Sequence, residues 1–295
     1  MTTMKPSVSV IGIGQMGLGI ANNIQNAGYL NSIFEINTSL LNQLENDNDV
    51  IVNNPKLGLI SSNILIFVVP STQQIRDFLF SADWIDNIEE NTIIIDLTTS
   101  NPDETKKLSK ELSKRKINYI DCGMTGGAQG AEKGTLTLMM GGKKNIIKSV
   151  TPVLESFTNR LIHVGITGSG HALKLIHNMV THTIFLATVE GVIGAKKLGI
   201  DPEVVIDVFN SGNARSFISE SRFPNHILSE KWDARSRVSN LFKDLSMVTN
   251  LLNDNEIGCP YGELTTDILK NAVSEGLAEV DFSLLYNEYE KLIDK

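Results

Sequence analysis

Several residue types and patterns that mark whole classes of protein are scarce in this 295-residue chain. It has only two cysteines, Cys122 and Cys259, and their wide separation excludes a disulfide framework and a thiolate zinc site. The formal net charge is −8 and no cluster of lysine and arginine stands out, which argues against a nucleic-acid partner. Apolar runs such as residues 64–69 are far shorter than a membrane span, and no secretory signal pattern opens the sequence. We therefore expect a cytoplasmic protein that binds small molecules and neither nucleic acid nor a membrane.

The composition is otherwise that of an ordinary globular protein, with 41% hydrophobic and 20% charged residues. The length favours two domains. Through the first half, short runs rich in β-branched residues alternate with helical patterns, and these runs are apolar throughout. Uninterrupted apolar runs indicate parallel strands that are buried on both faces. We predict an α/β fold in which residues 1–164 form a doubly wound sheet.

From residue 165 onward the pattern becomes helical, with almost no β runs. We predict an all-α C-terminal domain over residues 165–295. Its first helix, residues 171–198, would be about 42 Å long at 1.5 Å per residue, which is long enough to join the two domains. Such a helix would carry residues into a cleft between them.

A glycine-rich loop, GIGQMG, follows the first predicted strand. The spacing G-x-G-x-x-G at the opening of a helix predicts a Rossmann-like dinucleotide site. Gly12 permits a tight turn, Gly14 lets the backbone approach a diphosphate, and Gly17 lets helix and strand pack closely. The alternative is a glycine turn that binds no ligand, but the strand, turn, helix and second strand together favour binding. The predicted cofactor contacts in the loop are Gly12, Ile13, Gly14, Gln15, Met16 and Gly17.

An acidic residue, Glu35, ends the second predicted strand. Its carboxylate is placed to accept hydrogen bonds from ribose hydroxyls and to repel a 2′-phosphate, which favours NAD over NADP. No arginine stands at Ile36 to bind such a phosphate. A solvated glutamate is the alternative. The residues that follow two further strands at the ligand-binding edge are predicted to line the nicotinamide path, unless they only form turns: Val69, Pro70 and Thr98.

Two later segments carry groups suited to a substrate. Thr125, Gly126 and Gly127 form a predicted loop whose N–H groups and hydroxyl would hold a carboxylate, although a structural glycine turn fits the spacing equally. Lys174 and Asn178 lie four residues apart on the long predicted helix and therefore share one face. In a partly desolvated cleft the pKa of a lysine falls from about 10.4 toward neutrality, which suits proton exchange with a hydroxyl. Solvent-facing positions are the alternative for both residues.

The remaining charged residues and histidines point to no metal. Lys243 and Asp244 form a pair of the kind most often found on a helix surface. The five histidines show no metal-ligand spacing, so we predict no metal site. Arg215 and Arg222 lie in a segment expected to influence substrate selectivity, either as contacts for a second anionic group or as surface residues.

Four segments in this order make the chain resemble the β-hydroxyacid dehydrogenase family over nearly its whole length. GIGQMGLGIANNI is similar to the family's cofactor loop, DCGMTGGAQGAEKGTLTLMMGG to its substrate-binding segment, GSGHALKLIHNMV to its catalytic segment and KDL to its late cofactor motif. DFSLLYNEYEKL resembles the family's usual C-terminus. The resemblance implies that Lys174 is the catalytic acid–base, that Asn178 helps to place the substrate and that Lys243 reaches the cofactor. It also implies that the loop 125–127 holds the substrate carboxylate.

The implied reaction is the reversible, NAD-dependent oxidation of a small 3-hydroxy carboxylate, similar to 3-hydroxyisobutyrate, to its semialdehyde. NADP-preferring members carry asparagine and arginine where this chain has Glu35 and Ile36, which supports NAD. Thr125 stands where serine is more usual, so the identity of the substrate stays open. Two alternatives are a reductase of tartronate, glyoxylate or succinic semialdehydes, and a non-catalytic nucleotide-sensing protein. The family's habits also imply a homodimer or homotetramer.

Overall fold

A computed structural model of the protein describes residues 5–43, 50–81 and 84–293. The chain divides into two compact units, Met1–Lys174 and Leu175–Lys295. This division falls inside a long helix, ten residues after the boundary predicted at residue 164, because the first turn of that helix packs on the sheet of the first unit. No helix among the described residues combines the length and the apolar character needed to cross a bilayer.

The first unit contains a sheet and the helices that cover it. Its strands are β1 (Val8–Ile11), β2 (Leu30–Phe34), β3 (Ile51–Val52), β4 (Ile64–Phe67), β5 (Ile93–Asp96), β6 (Asn118–Thr125), β7 (Leu136–Gly141) and β8 (Thr158–Gly165). Its complete helices are α1 (Gln15–Asn26), α2 (Pro55–Ile60), α3 (Thr72–Phe80), α4 (Pro102–Ser113), α5 (Gly127–Glu132) and α6 (Lys144–Leu154), with short 3₁₀ segments at Thr38–Gln43 and Trp84–Asn87. The order in the sheet is β3-β2-β1-β4-β5-β6-β7-β8.

Alternate residues of the central strands enter two separate hydrophobic cores. In β4, Ile64 and Ile66 belong to one core, whereas Leu65 and Phe67 belong to the other, and all four are at most 2% exposed. Burial on both faces explains why this strand is apolar throughout. The doubly wound α/β fold predicted from such runs is confirmed.

The expectation that the strands of the sheet are parallel is wrong for the last two, which run opposite to the first six. Strands β1 to β6 run parallel, but β7 pairs antiparallel with β6, and β8 then runs parallel to β7. Only residues 126–135 separate β6 from β7, and they include the six-residue helix α5. A parallel crossover needs about a dozen residues or more, so this shorter connection turns the chain back.

The second unit is helical among its described residues, apart from one isolated β-bridge between Arg237 and Asp281. Helix α7 spans Ser169–Lys197 and extends through both units. It begins two residues earlier than the predicted helix 171–198 and ends one residue earlier. The other elements are α8 (Pro202–Ser211), a π-helical segment (Ile218–Leu228), α9 (Val238–Asp254), α10 (Pro260–Ser274), a 3₁₀ turn (Phe282–Leu284) and α11 (Leu285–Ile293). Asp201 caps α8 by accepting from the N–H of Glu203 at 2.8 Å.

Glycines allow the first turn of α7 to approach the sheet closely. A Cβ on Gly170 would lie 2.5 Å from the main-chain oxygens of Asp121 and Met139. A Cβ on Gly123 would lie 2.5 Å from the Cβ of Lys174. Side chains do not tolerate such separations, so the contact between α7 and strands β6 and β7 requires glycine at both positions.

The two helical glycines Gly170 and Gly194 provide a matched test of this packing. Alanine is normally favoured over glycine in a helix, and a Cβ on Gly194 would meet nothing within 4 Å. Gly194→Ala should therefore raise the free energy of unfolding by about 0.5–1 kcal/mol. Gly170→Ala should lower it by about 1–3 kcal/mol because the added methyl overpacks the contact. Urea unfolding followed by circular dichroism measures both, and equal effects would contradict the close approach.

Candidate functional site

The three glycines of the loop after β1 have different surroundings. Gly12 has a φ of +89°, and a Cβ there would lie 2.5 Å from the carbonyl oxygen of Val68. A Cβ on Gly17 would clash with the carbonyl oxygen of Gly12. Gly14 is exposed, and a Cβ there would meet nothing within 4 Å. Gly12 and Gly17 thus have the turn and packing tasks predicted for them, and Gly14 leaves open space beside the backbone.

Helix α1 opens directly on this space. Gly14 is its N-cap and offers no side-chain hydrogen bond, so the N–H groups of the first turn, at Gln15 and Met16, have no capping side chain. The first turn also carries no acidic residue. Free N–H groups and the positive end of a helix dipole attract phosphate oxygens. The residues present therefore fit a dinucleotide diphosphate.

Glu35, directly after β2, is bound to the loop itself. Its Oε2 accepts from the N–H of Ile13 at 2.7 Å, and its Oε1 accepts from the N–H of Asn37 at 2.8 Å. The residue is 8% exposed, whereas the neighbouring Ile36 is 88% exposed. Each carboxylate oxygen has two lone pairs, so acceptor capacity remains for ribose hydroxyls. Sequence analysis missed the loop contact, because no local pattern pairs residue 35 with residue 13.

The residues predicted to line the nicotinamide path differ in exposure. Val69 is half-buried and Pro70 is exposed, and both follow β4. Thr98, after β5, is 2% exposed, and its hydroxyl has no hydrogen-bond partner among the described residues. The N–H of Thr98 donates to Oδ1 of Asp96 at 2.8 Å, which fixes the turn. Val69 and Pro70 are therefore the accessible members of this set.

Thr125, Gly126 and Gly127 lie where β6 passes into α5. Thr125 ends the strand opposite Thr137 of β7 and is half-buried. Gly126 and Gly127 have φ values of +126° and +64°, and both are exposed. Such conformations are rare for other residue types, so the two glycines are required for this turn. The half-buried Thr125 therefore adjoins an exposed glycine turn that opens α5.

Lys174 and Asn178 are one turn apart on the continuous helix α7, and both are half-buried. The Nδ2 of Asn178 donates to Oδ2 of Asp244 at 2.7 Å. Asp244 is 8% exposed, and its Oδ1 lies 3.4 Å from Nζ of Lys243, a side chain that is 43% exposed. The amide of Asn178 is therefore oriented by a buried carboxylate.

The expectation that Lys243 and Asp244 form a surface pair is wrong for Asp244. The buried face of α9 includes Val238, Leu241, Leu245 and Val248, and Asp244 lies three residues after Leu241 on that face. Helical periodicity was the signal that could have revealed it, because a carboxylate in an apolar stripe needs a polar partner.

The arginines of the π-helical region are engaged within the second unit. Arg222 donates to the carbonyl oxygen of Ala234 at 3.2 Å, and its guanidinium lies 5.2 Å from the ring centroid of Phe217. Burial lowers the pKa of the Arg222 guanidinium from its ordinary value. Arg215 is exposed and pairs with Glu220 at 3.5 Å. The described residues include no group of three or more His, Cys, Asp or Glu side chains that could hold a metal ion.

Two family profiles together match nearly the whole chain. Residues 7–165 match the NAD binding domain of 6-phosphogluconate dehydrogenase. Residues 168–289 match the NAD-binding domain of NADP-dependent 3-hydroxyisobutyrate dehydrogenase. The first match covers the glycine loop, Glu35 and residues 125–127, and the second covers Lys174, Asn178 and Lys243.

Full-length relatives and a solved structure agree with these matches. The chain is 28% identical to mitochondrial 3-hydroxyisobutyrate dehydrogenase of Drosophila melanogaster, over 97% of this chain and 90% of that protein. It is 25% identical to 2-(hydroxymethyl)glutarate dehydrogenase of Eubacterium barkeri, over 98% and 97%. A structure of Mycobacterium tuberculosis 3-hydroxyisobutyrate dehydrogenase with L-serine has the same fold, with a TM-score of 0.87 at 21% identity over 97% of this chain and 99% of that one. The protein belongs to the 3-hydroxyisobutyrate dehydrogenase family of NAD-binding oxidoreductases, which act on CH–OH groups.

Proposed function

We propose that the protein catalyses the reversible, NAD-dependent oxidation of a small 3-hydroxy carboxylate to its semialdehyde, with Lys174 as the acid–base. The observation that carries this proposal is the pairing of an amine and an oriented amide on one face of α7. Lys174 and Asn178 are one helical turn apart, and Asp244 holds the amide of Asn178 at 2.7 Å.

The chemistry divides between the cofactor and the side chains. NAD, when bound, supplies a hydride acceptor at C4 of its nicotinamide ring. The neutral amine of Lys174 accepts the proton of the substrate hydroxyl as the carbinol C–H bond breaks, which leaves a carbonyl and an ammonium. In the reverse direction the ammonium returns this proton to the carbonyl oxygen. Atoms and charge balance because one hydride and one proton leave the alcohol.

Asn178 contributes orientation to this step. Its Nδ2 donates to Asp244, so its Oδ1 is directed away from that carboxylate and can accept a hydrogen bond. The Oδ1 also lies 3.3 Å from Nδ1 of His177, which limits rotation of the amide. An acceptor fixed one turn from Lys174 would hold a substrate hydroxyl or the lysine ammonium in place.

The substrate class follows from the relatives and from the loop at residues 125–127. The substrates named for the Drosophila and Eubacterium enzymes share a hydroxymethyl group on the carbon that bears the carboxylate. The hydroxyl of Thr125 and the N–H groups beside it suit that carboxylate. Arg222 is engaged by Ala234 and Phe217, so we propose a substrate with one carboxylate rather than two.

We also propose that the protein acts in the cytoplasm as a homodimer or homotetramer. Both cysteines are buried and unpaired, which fits a reducing compartment. Apolar side chains on two neighbouring helices of the second unit are exposed, including Val180 at 48%, Tyr261 at 77% and Leu264 at 62%. Exposed apolar groups of this size favour self-association.

Self-association can be measured by light scattering of the eluted protein during size-exclusion chromatography. The expected mass is two or four times that of the 295-residue chain. Val180→Lys combined with Leu264→Lys should shift the mass toward one chain, because charges in an apolar contact lose hydration. A single-chain mass for the unchanged protein would overturn this part of the proposal.

The proposed reaction is tested by NADH formation with a panel of hydroxy acids. The panel contains 3-hydroxyisobutyrate, 2-(hydroxymethyl)glutarate, glycerate, threonate and 4-hydroxybutyrate. Lys174→Ala should lower kcat by at least about a hundredfold, since general acid–base groups contribute about 10²–10⁴ in rate, while the Kd for NAD stays unchanged. Lys196→Ala, an exposed lysine of the same helix, is the matched control and should leave turnover unchanged. Turnover that survives in Lys174→Ala would exclude the proposed role of that residue.

The cofactor preference is tested at Glu35 and Ile36. Glu35→Gln should raise the ratio of kcat/KM for NADP to that for NAD by about tenfold or more, because two charges about 4–6 Å apart repel by a few kcal/mol near a protein surface. Ile36→Arg should add to this change by pairing with the 2′-phosphate. Glu155→Gln, an exposed residue after α6, serves as the control. An unaltered ratio in Glu35→Gln would show that this carboxylate does not face the ribose.

A further inference from the structure

A group of buried polar side chains lies beneath the first turn of α7, within the first unit. Asp96, Asp121, Thr105 and His171 are all 0% exposed. Asp96 ends β5, and Asp121 is its register partner on the neighbouring parallel strand β6. Buried carboxylates are costly unless they are paired or accept several hydrogen bonds, so their partners define their task.

Asp121 caps α7 from the sheet. Its Oδ1 accepts from the N–H of Gly168 at 2.7 Å, and its Oδ2 accepts from the N–H of His171 at 3.0 Å. These N–H groups belong to the opening of the helix, where no carbonyl of the helix itself is available. A carboxylate at this end of a long helix also interacts favourably with the helix dipole.

The imidazole of His171 extends this cap to α4. The Nδ1 of His171 lies 2.7 Å from Oγ1 of Thr105, and that hydroxyl donates to the carbonyl oxygen of Asn101 at 3.0 Å. A hydroxyl has a single proton, so Thr105 accepts from His171 and Nδ1 carries the hydrogen.

The second ring nitrogen faces a carboxylate. The Nε2 of His171 lies 3.6 Å from Oδ1 of Asp96 and has no hydrogen-bond partner among the residues that the structure describes. Oδ2 of Asp96 accepts from the hydroxyls of Tyr119 at 2.5 Å and Thr72 at 3.0 Å. Burial, followed by the charge of Asp96, raises the pKa of Tyr119 well above its ordinary value, so that hydroxyl remains a donor. The imidazole is therefore enclosed between Thr105 at Nδ1 and Asp96 near Nε2.

We propose that His171, held by Thr105 and Asp96, is a positioning residue for Lys174. The two residues are three apart on α7 and therefore lie on the same side of the helix. Strand β6 approaches Lys174 closely at Gly123, because a Cβ on Gly123 would lie 2.5 Å from the Cβ of Lys174. The contact of the imidazole with Thr105 and the close approach of Gly123 together hold the stretch of α7 from which the lysine side chain extends. This inference rests on the proposed role of Lys174 as the acid–base.

The central test removes the hydroxyl that holds the imidazole without removing a buried charge. Thr105→Val keeps the shape of the side chain and deletes the acceptor for Nδ1 of His171. We expect kcat to fall about tenfold or more, because small displacements of a catalytic group can cost up to about a hundredfold. The KM for the hydroxy acid and the Kd for NAD should stay within about twofold of wild type. Thr105→Ser restores the hydroxyl and should recover most of the rate.

A kinetic isotope effect separates misplacement of Lys174 from loss of folded enzyme. With substrate deuterated at the carbinol carbon, Thr105→Val should show a larger isotope effect on kcat than wild type, because the chemical step becomes slower. Partial unfolding would lower the amount of active enzyme and leave the isotope effect unchanged. His171→Gln should behave as Thr105→Val does, and His163→Gln, which alters an exposed histidine on β8, is the control.

An activity-independent readout distinguishes failure of this inference from failure of the proposed function. Reductive ¹³C-methylation of the lysines gives an NMR signal for each amine, and the signal of Lys174 is the one that disappears in Lys174→Arg. Thr105→Val should move this signal and leave those of other lysines in place. If Lys174→Ala retains turnover, the proposed function fails, and the NMR shift alone decides the positioning role. A wild-type isotope effect together with an unmoved signal in Thr105→Val would overturn the inference.

Discussion

The carboxylate of Asp121, buried at the opening of α7, is the contact on which the location of the candidate acid–base, Lys174, depends. It accepts from the N–H groups of Gly168 and His171, and thereby fixes the start of a 29-residue helix on the sheet. Once the start is fixed, helical geometry sets the main-chain positions that follow within the first unit, including that of Lys174. The glycines at positions 123 and 170 make this possible, because any side chain there would hold the helix away from the strands. The cap by Asp121 and the lack of side chains at Gly123 and Gly170 together hold the first turn of α7 against the sheet.

The glycine loop after β1 also combines a carboxylate that accepts from main-chain N–H groups with glycines that allow close packing. Gly12 and Gly17 are confined by the main chain, while Gly14 faces open space. Glu35 connects this loop to the end of β2 through the N–H of Ile13. The carboxylate of Glu35 therefore fixes the loop at Ile13, and the lack of a side chain at Gly14 leaves space beside its main chain. Such preorganisation lowers the entropic cost of ordering a loop when a ligand binds.

Sequence patterns were sufficient for features that depend on local periodicity. The apolar run of β4, the glycine spacing of residues 12–17 and the long helix α7 all follow from residues near one another in the chain. The reversal of β7 was missed because apolar runs do not encode strand direction, and only the short connection through α5 reveals it.

Contacts between distant residues could not be read from spacing. The hydrogen bond from Asn178 to Asp244 joins positions 66 residues apart, and the contact between Thr105 and His171 also spans 66 residues. Each of these side chains is ordinary in its own segment. Only the folded chain shows that Asp244 accepts from the amide of Asn178 and that His171 faces a carboxylate at 3.6 Å.

The dual attachment of Glu35 has an evolutionary consequence. Because one carboxylate serves both the N–H of Ile13 and the N–H of Asn37, a change of residue at this position alters the loop as well as any ribose contact. A substitution at position 35 therefore preserves the loop only if the new side chain still offers an acceptor to the N–H of Ile13. This structural task limits which residues position 35 can accept, whatever the cofactor.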